Sequence, residues 1–276
     1  MADKLRIGIV GTGGIAHAHM NQYIQMDDVE IIGASDIVPG KARAFLDEFG
    51  LTNVPAFENN DELFALKPDG VSVCTYNTQH HTCACAAMEA GIHVLCEKPM
   101  SVTLDQAVQM ARTQKKTGKI LTIGFQPRYG ANMQMIKSLV RSGELGEIHA
   151  VNFTGQHPLN YGTRPMWYFE PGKHGGTFND LAIHGLDAVR FITGLDYHRT
   201  LCARQYNAFA HEQPDFPDCA QLMGEYENGA GLVADVSYSA PNGAAFDLPS
   251  YWRFSFWGEK GMLECRLGEG SVLLAR

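Results

Sequence analysis

A short apolar run that passes without a gap into a glycine-rich turn constrains this chain more than any other stretch. Residues 5–10, Leu-Arg-Ile-Gly-Ile-Val, are rich in β-branched side chains and read as a buried parallel strand. Gly11-Thr12-Gly13-Gly14-Ile15-Ala16 follows at once, and a helix-like segment continues to Ile24. G-x-G-x-x-A between a strand and a helix is the pattern of a pyrophosphate-binding turn. Gly11 allows the tight bend, Gly13 lets backbone N–H groups approach the phosphates, and Ala16 keeps helix and strand close. The anion would lie at the positive end of the helix dipole, cradled by Gly11, Thr12, Gly13, Gly14 and Ile15.

Residues 29–35 read as a second strand that ends at Asp36, 25 positions beyond Gly11. About 20 is the usual interval to a ribose-binding carboxylate. A carboxylate there accepts from the 2′-hydroxyl of NAD and repels the 2′-phosphate of NADP, and no Arg or Lys follows it directly. NAD is therefore the expected cofactor and NADP is disfavoured. A helix-capping Asp is the competing reading.

The alternation continues through the first half. Pro39 opens a helix that Gly50 closes, with Ala42, Phe45, Leu46 and Phe49 as its apolar stripe. Residues 54–57 suggest a short edge strand, because Pro55 cannot donate to a ladder. Residues 71–74 form the next strand and run into a polar loop, 75–79, at the carboxyl edge where ligands collect in open α/β sheets. His81 and Cys85 share a helix face, but no further ligands follow at structural-zinc spacing, so no metal is expected. Ala84, Ala87 and Met88 face the core of that helix. The strand 93–96 leads to Glu97-Lys98-Pro99, and the proline holds Lys98 extended, aiming its ammonium at the same edge. A solvated surface lysine is the competing reading. Thr103-x-x-Gln106 is a capping box, with Leu104, Ala107, Val108 and Ala111 read as the stripe behind it and Gly118 as the stop. Residues 120–125 are the last strand of the series.

Composition removes several classes of partner. The 276 residues suffice for two domains, and 45% hydrophobic content supports a sizeable core. A formal charge of −8 argues against nucleic acid or an anionic membrane as partner. No apolar run is long enough to span a bilayer. The first strand begins within about five residues, which leaves no room for a signal peptide. Seven cysteines, mostly inside apolar runs, suggest free buried thiols in a reducing compartment, hence a cytoplasmic protein.

After Gly124 the character changes, which sets a boundary between a domain at 1–125 and a second at 126–276. Residues 129–142 read as a helix, and 148–153 begin a strand-rich region. A loop rich in Gly, Pro and aromatics follows at 156–176, where His157, Arg164, Trp167 and Tyr168 are candidate pocket residues. A helix from about 178 to 193 carries a buried stripe of Leu181, Gly185, Ala188, Val189 and Ile192. Asp180, His184 and Asp187 lie at i, i+4 and i+7, roughly 100° round from that stripe. Such a helix can pack on a sheet while showing an acid and an imidazole to a cleft, the equipment for moving a hydroxyl proton. A surface Asp–His pair is the competing reading. Residues 220–226, 231–239, 251–257, 261–266 and 271–275 are strand-like, with Asn228-Gly229 as a turn. A mostly antiparallel sheet with one face free to pair predicts a homo-oligomer, a dimer or tetramer.

Four motifs, in order across nearly the whole chain, resemble the glucose–fructose oxidoreductase/inositol dehydrogenase (Gfo/Idh/MocA) family. They are Gly11-Thr12-Gly13-Gly14-Ile15-Ala16, Thr75-x-Asn77-x-x-His80, the run from Ala90 to Pro99 that ends in Glu97-Lys98-Pro99, and Gly175-Gly176-x-x-x-Asp180-x-x-x-His184. The resemblance implies an α/β chain: a doubly wound parallel Rossmann sheet, then an α+β domain with a large, mostly antiparallel open sheet. It implies nicotinamide-dependent oxidation or reduction of a sugar, inositol or related polyol. By position it gives Lys98, Asp180 and His184 the catalytic roles, with Lys98 also touching the cofactor. It sets Thr75, Asn77, His80 and Glu97 on the cofactor side, and makes Arg128 and Tyr129 candidates for the substrate, which Trp167 joins as a candidate from the 156–176 loop alone. Tyr76 stands where the family usually has proline, and most relatives continue well past the position of Arg276. Two rival functions share these motifs: glycoside cleavage through transient oxidation by tightly held NAD, and non-catalytic NAD sensing.

Overall fold

A computed structural model describes residues 4–241, 251–266 and 271–276. The chain divides into two compact units, Met1–Gly124 and Phe125–Arg276.

The first unit is built on a six-stranded, fully parallel sheet of order β3-β2-β1-β4-β5-β6. Its elements are β1 (Leu5–Val10), α1 (Gly14–Tyr23), β2 (Val29–Ser35), α2 (Lys41–Glu48), β3 (Ala56–Phe57), α3 (Asn60–Ala65), β4 (Gly70–Val73), α4 (His80–Glu89), β5 (His93–Cys96), α5 (Leu104–Thr117) and β6 (Leu121–Ile123). Strand order reverses between β1 and β4, so the loops leaving those two strands open a crevice at the carboxyl edge. The expected stripes of α2 and α4 are buried, including Phe45, Leu46, Ala84, Ala87 and Met88. The stripe expected on α5 is not. Leu104 is 78% exposed, and Met110 and Thr113 turn inward instead. Thr103 does cap this helix, accepting from the Gln106 N–H at 3.4 Å. The cap fixes where the helix starts, not which face meets the sheet. Helix α3 went unread because six residues are too few for a periodic signal; Asn59 caps it, accepting from the Glu62 N–H at 3.0 Å.

The second unit carries a seven-stranded sheet, made of β7 (Ile148–Pro158), β8 (Tyr197–Tyr206), β9 (Cys219–Tyr226), β10 (Gly231–Ala240), β11 (Tyr251–Gly258), β12 (Gly261–Arg266) and β13 (Val272–Ala275). The order is β13-β12-β11-β7-β10-β9-β8, antiparallel except for β7 beside β10. Helices α6 (Ala131–Arg141) and α7 (Ile183–Thr193) share one core with its inner face, through Met133, Ile136, Val151, Phe153, Val189 and Leu232. Gly185 makes this packing possible: a Cβ there would lie 2.2 Å from the Phe153 ring. The other face of the sheet stays open and shows Met223, Val233, Trp257 and Leu273. Strand β8 was missed in the sequence because nine of its ten residues are exposed, so no apolar alternation marks it. The loop expected from 156 is strand as far as Pro158. No helix among the described residues is long and apolar enough to cross a membrane. All seven cysteines are free, five of them buried.

Candidate functional site

In the first unit the glycine turn has the shape its sequence demands. Gly11 takes φ +82°, and a Cβ on it would meet Thr75 at 2.9 Å. Gly13 and Gly14 face open space, with nothing within 4 Å of a built Cβ, and no side chain caps α1. A pyrophosphate therefore finds room and unclaimed helix-start N–H groups, so these residues fit a dinucleotide.

Asp36 is only 8% exposed. Its Oδ2 accepts from the Thr12 N–H and Oγ1–H, both at 2.9 Å, and Oδ1 accepts from the Val38 N–H at 3.0 Å. Lys41, five positions on, returns its ammonium to 3.0 Å from Oδ2. Burial alone would raise the pKa of Asp36, but the bonds from Thr12, Val38 and Lys41 outweigh it and hold the carboxyl below its ordinary range. A carboxylate has about four lone-pair sites, so Oδ1 keeps one for a ribose hydroxyl. Lys41 was not read in the sequence, because its partnership depends on how the turn into α2 folds back.

The loops after β4 and β5 are tied together by His80, 1% exposed, whose Nδ1 lies 2.7 Å from the Pro99 carbonyl and Nε2 3.1 Å from that of Thr75. Burial pushes its pKa down, the two carbonyls opposing. A neutral ring has one N–H and donates to one carbonyl at a time. Tyr76 keeps φ −76°, a value a proline ring would also take. Asn77 is buried in the 3₁₀ turn Asn77–Gln79. Glu97 points back beneath the sheet edge: Oε1 lies 2.8 Å from His19 Nε2, and Oε2 accepts from the Lys98 N–H at 3.2 Å. Lys98 itself is half-buried and precedes a cis proline.

In the second unit, the helix expected from 178 begins as a π turn, Phe178–Ala182, before α7 proper. Gly175 and Gly176, at φ +84° and +89°, deliver the chain into it, and a Cβ on Gly176 would meet Gln205 at 2.8 Å. The wider turn breaks the single ridge expected of Asp180, His184 and Asp187. Asp180 is buried, and its Oδ2 accepts from both the Tyr168 and Tyr238 hydroxyls, with His174 Nε2 at 3.4 Å. Tyr168 and Tyr238 are held protonated by burial and by the neighbouring carboxylate, both of which push their pKa values well up. His184 is half-buried, with Phe125 and Trp252 edge-on at ring distances of 6.2 and 5.9 Å. Asp187 instead takes the Arg128 guanidinium, whose Nε donates at 2.7 Å. Arg128 thereby ties the 3₁₀ turn Gln126–Tyr129 to α7, while Tyr129 stays 76% exposed. Trp167 packs on Tyr168 at a ring distance of 5.3 Å, and the Arg164 guanidinium lies 4.4 Å from the Tyr168 ring. Tyr238 and His174 were missed by sequence reasoning. An alternating strand makes every inward tyrosine look like core, and His174 precedes the glycine pair rather than lying on a helix face.

A cavity of about 690 Å³ opens in the second unit, lined by Leu159, Tyr161, Phe209, His211, Tyr238 and Ser239. Asp218 shapes its rim, accepting N–H bonds from Ala208, Phe209 and Ala210 at 2.7–2.9 Å. Among the described residues, no group of three or more His, Cys, Asp or Glu side chains gathers as metal ligands would.

Comparison with known proteins adds independent findings. Residues 5–125 match the oxidoreductase family with an NAD-binding Rossmann fold (GFO/IDH/MocA), and residues 133–264 match its C-terminal domain. The D-glucoside 3-dehydrogenase of Escherichia coli K12 is 32% identical over 239 residues, 85% of this chain and 65% of that protein. The glucose-6-phosphate 3-dehydrogenase of Bacillus subtilis 168 is 31% identical over 252 residues, 88% of this chain and 71% of that protein. This chain thus spans about two thirds of their length. A crystal structure of a probable dehydrogenase from Thermotoga maritima superposes with a TM-score of 0.83 at 28% identity, covering 97% of this chain and 77% of that one. The dinucleotide turn, both domain matches and the shared fold agree: the chain belongs to the Gfo/Idh/MocA family of NAD-binding oxidoreductases.

Proposed function

We propose that the chain is an NAD(H)-dependent oxidoreductase acting on a CH–OH group of a sugar, inositol or related polyol. The observation that supports this reading lies in the second unit, where the Asp180 carboxylate in the π turn is locked by two tyrosine hydroxyls and the His184 imidazole on α7 is flanked by aromatic rings. Surface Asp–His pairs lack such a setting, and a sensor has no use for it.

The roles are those the family resemblance implies by position, and the residues' chemistry suits them. Bound nicotinamide supplies the acceptor for the carbon-bound hydrogen and its two electrons. The Gly11–Ile15 turn would hold the pyrophosphate and Asp36 the adenosine ribose, with Thr75, Asn77 and Glu97 on the cofactor side. His184 takes the hydroxyl proton. Its Nδ1 is buried. Asp180 orients the reacting hydroxyl, and the Lys98 ammonium stabilises the developing alkoxide. The relatives named for glucose derivatives and those named for inositols support a hydroxylated six-membered ring as substrate. Tyr161 and Phe209 give the second-unit cavity the aromatic walls that suit such a ring. The open sheet face with Met223, Val233, Trp257 and Leu273 supports a homo-oligomer, and the free thiols support a reducing, cytoplasmic setting.

The test is a panel of sugars, glycosides and inositols assayed for NADH formation, with NADP in parallel. Formation of NADH with a sugar, glycoside or inositol is expected. Release of free sugar from a nitrophenyl glycoside without net NADH would replace this reading with the glycoside-cleaving one. NAD binding with no turnover on any panel member would replace it with the sensor reading.

A further inference from the structure

Beneath the Lys98 loop runs a buried polar chain that the proposed chemistry does not use. Tyr23 Oη lies 2.7 Å from Ser72 Oγ, Ser72 Oγ 3.2 Å from His19 Nδ1, and His19 Nε2 2.8 Å from Glu97 Oε1. The side chains of His19 and Glu97 are only 8% and 7% exposed, and Ser72 is fully buried. The donors can be assigned from chemistry alone. An ionised carboxylate only accepts, so His19 Nε2 carries the proton facing Glu97. In the neutral ring Nδ1 then accepts from the Ser72 hydroxyl, and Ser72 accepts from Tyr23. Burial raises the pKa of Tyr23, which keeps that phenol a donor. Every polar atom is satisfied, and the chain ends on the carboxylate whose other oxygen holds the Lys98 N–H. Gly124 leaves the space for it, since a Cβ there would lie 3.0 Å from Glu97 Oε1.

His19 lies on α1, the helix whose first turn forms the pyrophosphate cradle, and Glu97 directly precedes Lys98. We infer that His19 is a positioning residue for Lys98: through Glu97 it makes the phosphate-binding helix and the lysine loop one hydrogen-bonded body. This rests on the role given to Lys98 above. A fully satisfied buried network of this kind rigidifies what it joins.

The experiment compares wild-type protein with His19→Ala, His19→Gln and His19→Asn. A Gln side chain can offer its Nε2 to Glu97, whereas Asn reaches only toward Ser72. Two readouts are taken: kcat on the best panel substrate, and hydrogen exchange of the peptide spanning 94–102 in protein without cofactor. His19→Ala is expected to lower kcat by about 10- to 100-fold, the scale of one hydrogen bond to a charged group. NADH affinity, read by fluorescence titration, should stay within about 3-fold, because the cradle itself is untouched. Exchange at the Lys98 amide should speed up at least 10-fold while helix α5 is unchanged. His19→Gln should restore both readouts, and His19→Asn neither. Exchange at Lys98 that stays at the wild-type rate in His19→Ala, or equal rescue by Asn and Gln, would overturn the inference. Should the wild-type protein turn over no panel substrate, the functional reading falls, and the exchange measurement alone decides the role of His19. Gly124→Ala supplies an independent check, since it displaces the carboxylate without touching α1; it should mimic His19→Ala in exchange, and wild-type exchange would count against the inference.

Discussion

The two units solve the same problem, holding a charged group still, by different routes. In the first, Glu97 is fixed by His19 on α1, which Ser72 on β4 holds in turn, and by the Lys98 N–H just past β5. In the second, Asp180 sits in a π turn and is fixed by Tyr168 from a 3₁₀ segment, Tyr238 from β10 and His174 from the loop ahead of the glycine pair. A parallel sheet brings its strand ends to one edge by topology, so polar partners there recur at fixed offsets. An irregular segment has no such period, and its partners come from wherever the chain happens to return. The comparison teaches that Glu97 is held by architecture and Asp180 by local packing.

The largest expected effect bears on both halves equally. Lys98→Ala and His184→Ala should each cut kcat by about 10²–10⁴-fold, the usual size of an acid–base contribution, with melting temperature little changed. Steady-state NADH kinetics beside a thermal melt measures this, and unchanged turnover in either variant removes that residue from the mechanism. Next come changes that separate the units. Gly185→Ala drives a methyl into Phe153 and should destabilise the second unit by about 3 kcal/mol, at the upper end of overpacking costs. Urea unfolding followed by Trp fluorescence would detect it, since all three tryptophans, Trp167, Trp252 and Trp257, lie in that unit.

Tyr238→Phe tests whether packing alone fixes Asp180. It removes one of two hydroxyl donors and keeps the ring, so kcat should fall about 10-fold while substrate KM changes little. An unaltered kcat would make the second-unit site as redundant as the first is tightly wired. Asp36→Ser leaves Lys41 without its carboxylate and should move the NADP/NAD ratio of kcat/KM by about 10- to 100-fold toward NADP, as one charge contact to a phosphate would. The smallest effect is on acid stability. The folded pKa of Asp36 lies below its unfolded value, so its contribution is fully present above about pH 4 and is lost as pH falls through the folded pKa. Asp36→Asn should therefore lose less stability than wild type between pH 4 and pH 2, read from urea midpoints across that range.

Much of the first unit was legible before any coordinates. The Gly11 turn, Asp36 and the two loops at the carboxyl edge follow from strand–helix alternation, because a parallel sheet leaves few places for each. The stripe of α7 and the π turn before it was legible for the same kind of reason: Leu181, Gly185, Ala188, Val189 and Ile192 are all buried. The α5 stripe misled, because Leu104, Val108 and Ala111 are apolar at helical spacing yet do not turn inward as a face. Strand β8 and the π turn were invisible, the one lacking alternation and the other looking helical.

What the sequence determined by itself was therefore periodic: the order of elements, the nucleotide turn, and which residue types would stand at the strand ends. What only the tertiary structure decided was pairing across long separations. His19 meets Glu97 across 78 positions, and Tyr238 reaches Asp180 across 58. The physical reason is that a hydrogen bond needs its two atoms within about 3 Å. No local propensity encodes a distance of that kind; it is set when the cores close and fix where each backbone returns.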